Sequence, residues 1–216
     1  MTIEHHPDDS LLIGFAAGTL DHGQHVAIAT HLVSCPRCRA FMHAMERVGG
    51  EVLSGLAPAA MSPGALAAVE SRLTAPAPAP VAPRASTVTE QEIPALPTFV
   101  RHYRFGSWKW LAPAVHLRPI VLPHASETRV FLLRSGPGTR MLPHSHTGLE
   151  MTCVLSGAFS QDGAHYGPGD FDMGDDTIEH RPVVEEGQDC LCLVAMRGEL
   201  ELHGWLGRLM QPFVRL

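Results

Sequence analysis

Residues 75 to 97 read APAPAPVAPRASTVTEQEIPALP, and no other stretch limits the possible folds as severely. Proline recurs in alternation and large apolar side chains are nearly missing, so the segment can neither hold a helix nor bury a core. Two units joined by a linker follow: residues 1–74, a Pro/Ala-rich linker over 75–97, and residues 98–216. Such a linker predicts two separable cores.

The two units carry different periodicities. Before the linker, Asp8 or Asp9 can cap a first helix that presents Leu11, Leu12, Phe15 and Ala16, and a second helix runs from about Gly23 to Leu32. Ser34 with Pro36 starts a third, with Phe41, Met45 and Val48 on one face and a stop at Gly49-Gly50. Ser62-Pro63 starts a fourth that carries Leu66, Val69 and Leu73. Four short helices make a thin core, of the size at which a structural metal is commonly needed. After the linker come short apolar or alternating runs: Val115 to Leu122, Arg129 to Leu133, Glu150 to Leu155, Gln188 to Ala195 and Glu199 to Leu206. Strands at this spacing, with Gly and Pro turns between them, predict an all-β barrel or sandwich. The fold class expected is α+β multidomain, a small helical bundle followed by a β-barrel.

Charge narrows the partners. The net charge is -6 and Lys109 is the only lysine, so no basic face exists to neutralise a phosphate backbone, and direct nucleic-acid binding is not expected. The N-terminus lacks the basic and apolar regions of a signal peptide, and no apolar run reaches a membrane span, which points to the cytoplasm. In a reducing compartment the Cys35 and Cys38 pair favours metal over disulfide.

The run His31-Leu-Val-Ser-Cys35-Pro-Arg-Cys38 carries the first piece of chemistry. His31 and Cys35 stand four apart where one helix ends, and Cys38 lies in the first turn of the next. Three zinc donors converge on one corner, and an N-terminal histidine completes a His2Cys2 set if the first helix folds back; His6 is the choice and His5 its rival.

The second constellation is Gly138-x5-His144-x-His146-x3-Glu150-x6-Gly157. His144 and His146 share one face of an extended strand, and Glu150 returns to the same interior after a short turn. His180, after the turn Tyr166-Gly-Pro-Gly-Asp170, enters from another strand. Three imidazoles and a carboxylate suit Zn2+ or another divalent transition metal. Cys190 and Cys192 share a strand face, and with Cys153 they are read as core thiols, as Trp108, Trp110, Phe131 and Phe213 are read as core or cavity walls.

Phe15-Ala-Ala-Gly-Thr-Leu20 and Val26 through Cys38 resemble the zinc-binding domain of ChrR-type anti-sigma factors, whose signature is His-x3-Cys-x2-Cys. The second constellation resembles the first cupin motif, while the second cupin motif is looser, because Arg181-Pro182 stands where an Asn usually follows its histidine. The resemblance implies zinc on His6, His31, Cys35 and Cys38, and a cupin metal on His144, His146, Glu150 and His180. It also implies a regulator with no catalytic residues. The helical module would sequester a group IV (extracytoplasmic-function) sigma factor, and the cupin would sense an oxidative signal, singlet oxygen or an organic hydroperoxide. The alternative is a metal-dependent, dioxygenase-like cupin enzyme with an appended zinc module.

Overall fold

The computed structural model describes residues 2–76, 92–177 and 179–203. Most of the linker, the end of the strand expected at Glu199 to Leu206, and Phe213 lie outside the described residues. The N-terminal half is helical: α1 (Asp9–Ala16), α2 (His22–Ser34), α3 (Pro36–Ser54) and α4 (Ala65–Thr74). Asp8 caps α1, its carboxylate accepting from the Leu11 N–H at 2.8 Å, and Asp21 forms a capping box with Gln24 on α2. Among the described residues no helix is long and apolar enough to cross a membrane.

Three local expectations are corrected. Ser34 ends α2 and does not cap α3; the Cys35 thiol takes that place, accepting from the Cys38 N–H at 3.4 Å. α3 runs through Gly49-Gly50 to Ser54, because paired glycines weaken a helix by about 1 kcal/mol each without forbidding its geometry. The apolar residues of α4 are not core: Leu66 and Leu73 are 70% and 80% exposed, and none of its residues is buried.

The second half is antiparallel throughout. Its largest sheet contains β1 (Arg104–Phe105), β2 (Lys109–Ala112), β3 (Val115–Val121), β4 (Thr128–Ser135), β6 (Glu150–Ser156), β9 (Phe171–Gly174) and β11 (Cys190–Arg197). The order is β1-β3-β4-β11-β6-β9, with β2 also on β3. Opposite lie a three-stranded sheet of β7 (Phe159–Gln161), β8 (Ala164–Tyr166) and β10 (Val183–Val184), and a pair of β5 (His144–His146) and β12 (Leu200–Leu202). This β-rich, cupin-like body encloses a cavity between the large sheet and the two small ones.

The centre of the large sheet is buried on both faces, which explains why β11 reads as an unbroken apolar run and not as an alternating one. Cys190, Cys192, Val194 and Met196 point inward with Phe131 and Val154. Leu191, Leu193 and Ala195 point outward with Val130, Leu132, Met151 and Cys153, where they pack with Leu11, Leu12, Val26, Ala27 and Ile28 of the helices. The helical unit and the barrel therefore share one apolar cluster, where separate cores were expected. The end of the linker joins it too: Ile93 and Leu96 are each 2% exposed, so the reading that residues 75–97 bury nothing fails there. Trp110, at 63% exposure, is no cavity wall, whereas Phe131 is one.

Close approach of α2 to the sheet depends on two residues. A Cβ on Gly23 would lie 2.5 Å from the Thr128 carbonyl oxygen, so only glycine fits. Asp21 accepts from Gln24 N–H at 3.0 Å, Ser126 Oγ at 3.1 Å and Thr128 Oγ1 at 2.6 Å. Burial raises its pKa, but the hydrogen bonds from Thr128, Gln24, Ser126 and Gly23 outweigh that and leave it lowered. Loss of the carboxylate removes a helix cap and two bonds to the barrel together. Asp21→Ala is expected to lower the stability of the whole chain by about 2 kcal/mol in a denaturant titration. A change under about 0.5 kcal/mol would show that this anchor is idle.

Candidate metal centres

The first cluster forms where α2 meets α3. His31 and Cys35 lie one turn apart at the end of α2, Cys38 is in the first turn of α3, and His6 arrives on the extended segment ahead of α1. One donor atom from each of the four falls within 4.8 Å of all the others. His31 Nε2 is 3.3 Å from Cys38 Sγ, and His6 Nδ1 is 3.4 Å from Cys35 Sγ and 3.5 Å from Cys38 Sγ. A tetrahedral ion with metal–sulfur bonds near 2.3 Å and metal–nitrogen bonds near 2.0–2.1 Å sets a sulfur–nitrogen separation of about 3.5 Å, so the donors fit zinc.

Protonation states agree with that fit. His31 donates its Nδ1 hydrogen to the Gly169 carbonyl at 2.8 Å, which leaves the Nε2 lone pair facing the cluster. Burial pushes its pKa down to about 4, so the ring is neutral. Burial, followed by the neighbouring Cys35, pushes the Cys38 thiol up to about 12, so an ion must displace protons to bind. His5 does not compete: its ring stacks on Tyr166 at 4.1 Å.

The second cluster lies in the barrel. His144 and His146 point to one side of β5, and the residue between them, Ser145, bonds to His203 at 2.8 Å. His180 is held against β5 by reciprocal backbone bonds with His144 of 3.2 and 3.0 Å. The donor atoms of the three histidines lie within 4.8 Å of one another. Glu150 joins through His146, with Oε2 3.2 Å from Nε2, and Thr152 donates to its other oxygen at 3.0 Å. His146 Nε2 faces His180 Nε2 at 3.0 Å, an arrangement that requires a proton or a cation between them. Burial pushes His146 down to about 4 and His180 to about 3, so both rings are neutral, the state in which an imidazole ligates, and burial raises Glu150. His144 donates Nδ1–H to the Leu142 carbonyl at 2.7 Å, leaving Nε2 for a ligand. A divalent cation fits this donor set.

The cavity beside this cluster has a volume of about 160 Å³, and its walls are mostly apolar, among them Val115, Phe131, Leu133, Met141, Phe159 and Val184. Cys190 and Cys192 line it as buried thiols 3.7 Å apart, and Cys153 faces the helices on the other side of the sheet.

Of the residues singled out from the sequence, His6, His31, Cys35 and Cys38 come together at one point and His144, His146 and His180 at another, while Glu150 reaches the second group through its contact with His146. Two partners do not stand out in the sequence: Gly169, which accepts from His31, and Thr152, which donates to Glu150. The first is a backbone carbonyl and leaves no residue signature; the second, two residues from Glu150 on the same strand face, is found by the period-two rule.

Comparison with known proteins gives one consistent result. The family described as the ChrR cupin-like domain matches residues 98–199. The whole chain is 37% identical to the anti-sigma-E factor ChrR of Cereibacter sphaeroides, over an alignment of 219 positions that covers 100% of both. The fold is similar to that in the crystal structure of Rhodobacter sphaeroides SigE in complex with the anti-sigma ChrR. That similarity has 36% identity and a TM-score of 0.72 and covers 90% of this chain and 99% of the other.

Proposed function

Since the chain belongs to the ChrR family of anti-sigma factors, we propose that it sequesters a group IV sigma factor with its helical module and releases it when the cupin-like barrel registers an oxidative signal. It acts as a negative regulator of transcription and not as an enzyme. The observation that carries this reading is the uncovered apolar surface of α3 and α4. Val48 and Val52 are one turn apart on α3, and Leu66, Val69 and Leu73 line one face of α4, all exposed. An amphipathic helix whose apolar face is left open in a folded chain is suited to lie in a partner's groove. The four-donor cluster at His6, His31, Cys35 and Cys38 holds zinc and sets the angle between α2 and α3, from which that surface extends.

The barrel supplies the response. His144, His146, Glu150 and His180 hold one divalent ion against a wall that includes the oxidisable side chains Met141, Cys190, Cys192 and Met196. Singlet oxygen or an organic hydroperoxide is the signal such a lining suits, because thioethers and thiols are readily oxidised.

Co-expression with the cognate sigma factor, affinity capture and elemental analysis test the assignment. The wild type is expected to co-purify with the sigma factor and to carry two metal ions per chain. Glu150→Ala and His180→Ala are expected to lose one ion, keep the complex and release the sigma factor poorly under oxidant. Release without oxidant in both variants would show that the barrel ion supports inhibition itself. Turnover of an organic substrate, lost in both, would restore the enzyme alternative.

A further inference from the structure

We infer that the barrel completes the outer coordination shell of the helical metal site through Gly169, Asp170 and Phe171, with Asp170 as the positioning residue. The inference rests on the reading of His6, His31, Cys35 and Cys38 as a metal site. Two of the four donors are not held by the helices alone. His31 is oriented by the Gly169 carbonyl, which accepts its Nδ1–H at 2.8 Å across 138 residues of sequence. Its ring also meets the Phe171 ring edge-on, with centroids 5.6 Å apart.

His6 is placed by the backbone just ahead of it, and that backbone is fixed by the barrel. The Asp170 carboxylate is 4% exposed, and its Oδ1 accepts from Glu4 N–H at 2.8 Å and His5 N–H at 2.9 Å. Phe171 N–H then donates to the His5 carbonyl at 3.2 Å. Residues 4 and 5 are thereby pinned beside β9, the edge strand of the large sheet, with His6 next in line. The other carboxylate oxygen accepts from Gly167 N–H at 2.8 Å, which the turn itself requires. The two bonds to the N-terminus are not needed by the turn. They run from two backbone N–H groups to a buried carboxylate, a charge-assisted and strong kind of bond, and they act on the one donor that no helix supports.

The other end of β9 reaches the second cluster. Gly174 pairs with Glu150, and a Cβ there would lie 3.3 Å from His180 and 3.4 Å from His146. One four-residue strand therefore borders both candidate metal sites. An outer-shell partner fixes the ring orientation and tautomer of its ligand, and its loss typically weakens metal affinity about 10- to 100-fold.

Cobalt titration of the full-length, metal-stripped protein tests this. The thiolate-to-cobalt charge-transfer band reports the helical site, because the His144, His146, Glu150 and His180 cluster offers only nitrogen and oxygen donors. Total bound cobalt reports both sites. Asp170→Ala is expected to weaken cobalt binding in the charge-transfer titration about 10- to 100-fold while the second equivalent still binds as in the wild type. Asp170→Asn fills the same space and guards against misfolding. Its one acceptor oxygen can serve the N-terminal segment or Gly167 but not both, so a loss between the wild type and Asp170→Ala is expected. Equal titrations of wild type and both variants would overturn the inference, as would a loss of the same size at both sites. Absence of a charge-transfer band from the wild type would instead remove the metal-site reading itself.

Discussion

With Cys35 and Cys38 both replaced by serine, the chain is expected to lose its helical ion and, with it, the sigma factor. Besides the ion, α3 is fixed by Phe41, which packs partly against the core, and by Arg39, which donates to the Leu32 and Val33 carbonyls at 2.7 and 2.9 Å. Only Cys38 and Met42 of that helix are buried, so apart from the ion its orientation rests on very few apolar contacts. A structural zinc of this type contributes about 10–16 kcal/mol of apparent binding free energy at neutral pH, comparable with or larger than the whole stability of a domain. Serine keeps the size but does not ligate zinc as a thiolate does. The affinity for the sigma factor is expected to fall at least about a thousandfold by titration calorimetry, since most of an interface presented at the wrong angle is lost. Binding at wild-type strength, with the helical ion shown to be missing, would end the structural role given to the metal. Because ligation displaces thiol protons, the wild type should also lose this ion as pH falls, and Cys38, with its pKa raised to about 12 by burial, sets the sign of that trend.

The second large effect concerns the open face of α4. Leu66→Asp combined with Leu73→Asp places two charges at positions that are solvent-exposed in the free chain, so its stability and metal content should stay within experimental error of the wild type. In the complex the same charges would have to be buried unpaired. Affinity for the sigma factor is expected to drop about a hundredfold or more. Tight binding by the doubly charged variant would mean that α4 is not part of the interface, and the surface on α3 at Val48 and Val52 would have to carry it alone.

What could be read from the sequence was what is local. His31, Cys35 and Cys38 sit within eight residues, and helical spacing alone brings them to one corner. His144, His146 and Glu150 are similarly close, so the strand period and one turn gather them. His6 could not be told from His5 by spacing, because the choice depends on where a Tyr166 ring more than 150 residues away happens to stack. The apolar periodicity of α4 was visible, but periodicity states that a face needs covering and not what covers it. Leu66, Val69 and Leu73 therefore follow the spacing of a core face while standing in solvent. The merging of the two units was hidden for a similar reason: Gly23, Asp21 and Gly169 mediate it through close backbone approach and hydrogen bonds whose partners lie far along the chain. The one sequence signal of that merger was the unbroken apolar run of β11, which needs both faces covered.

The 138-residue separation between His31 and the carbonyl that orients it also has a consequence for how the protein is made. A ribosome adding about 5–20 residues per second leaves roughly 7–26 s between the emergence of the cysteine corner and that of Gly169. During that interval the nascent helices can capture an ion only with an imidazole whose second nitrogen is unsupported, and their Val26, Ala27 and Ile28 face has no sheet to cover. On the metal-site reading, loading of the newborn chain would run in two stages, loose while the helices stand alone and tight once β9 has been synthesised and has docked.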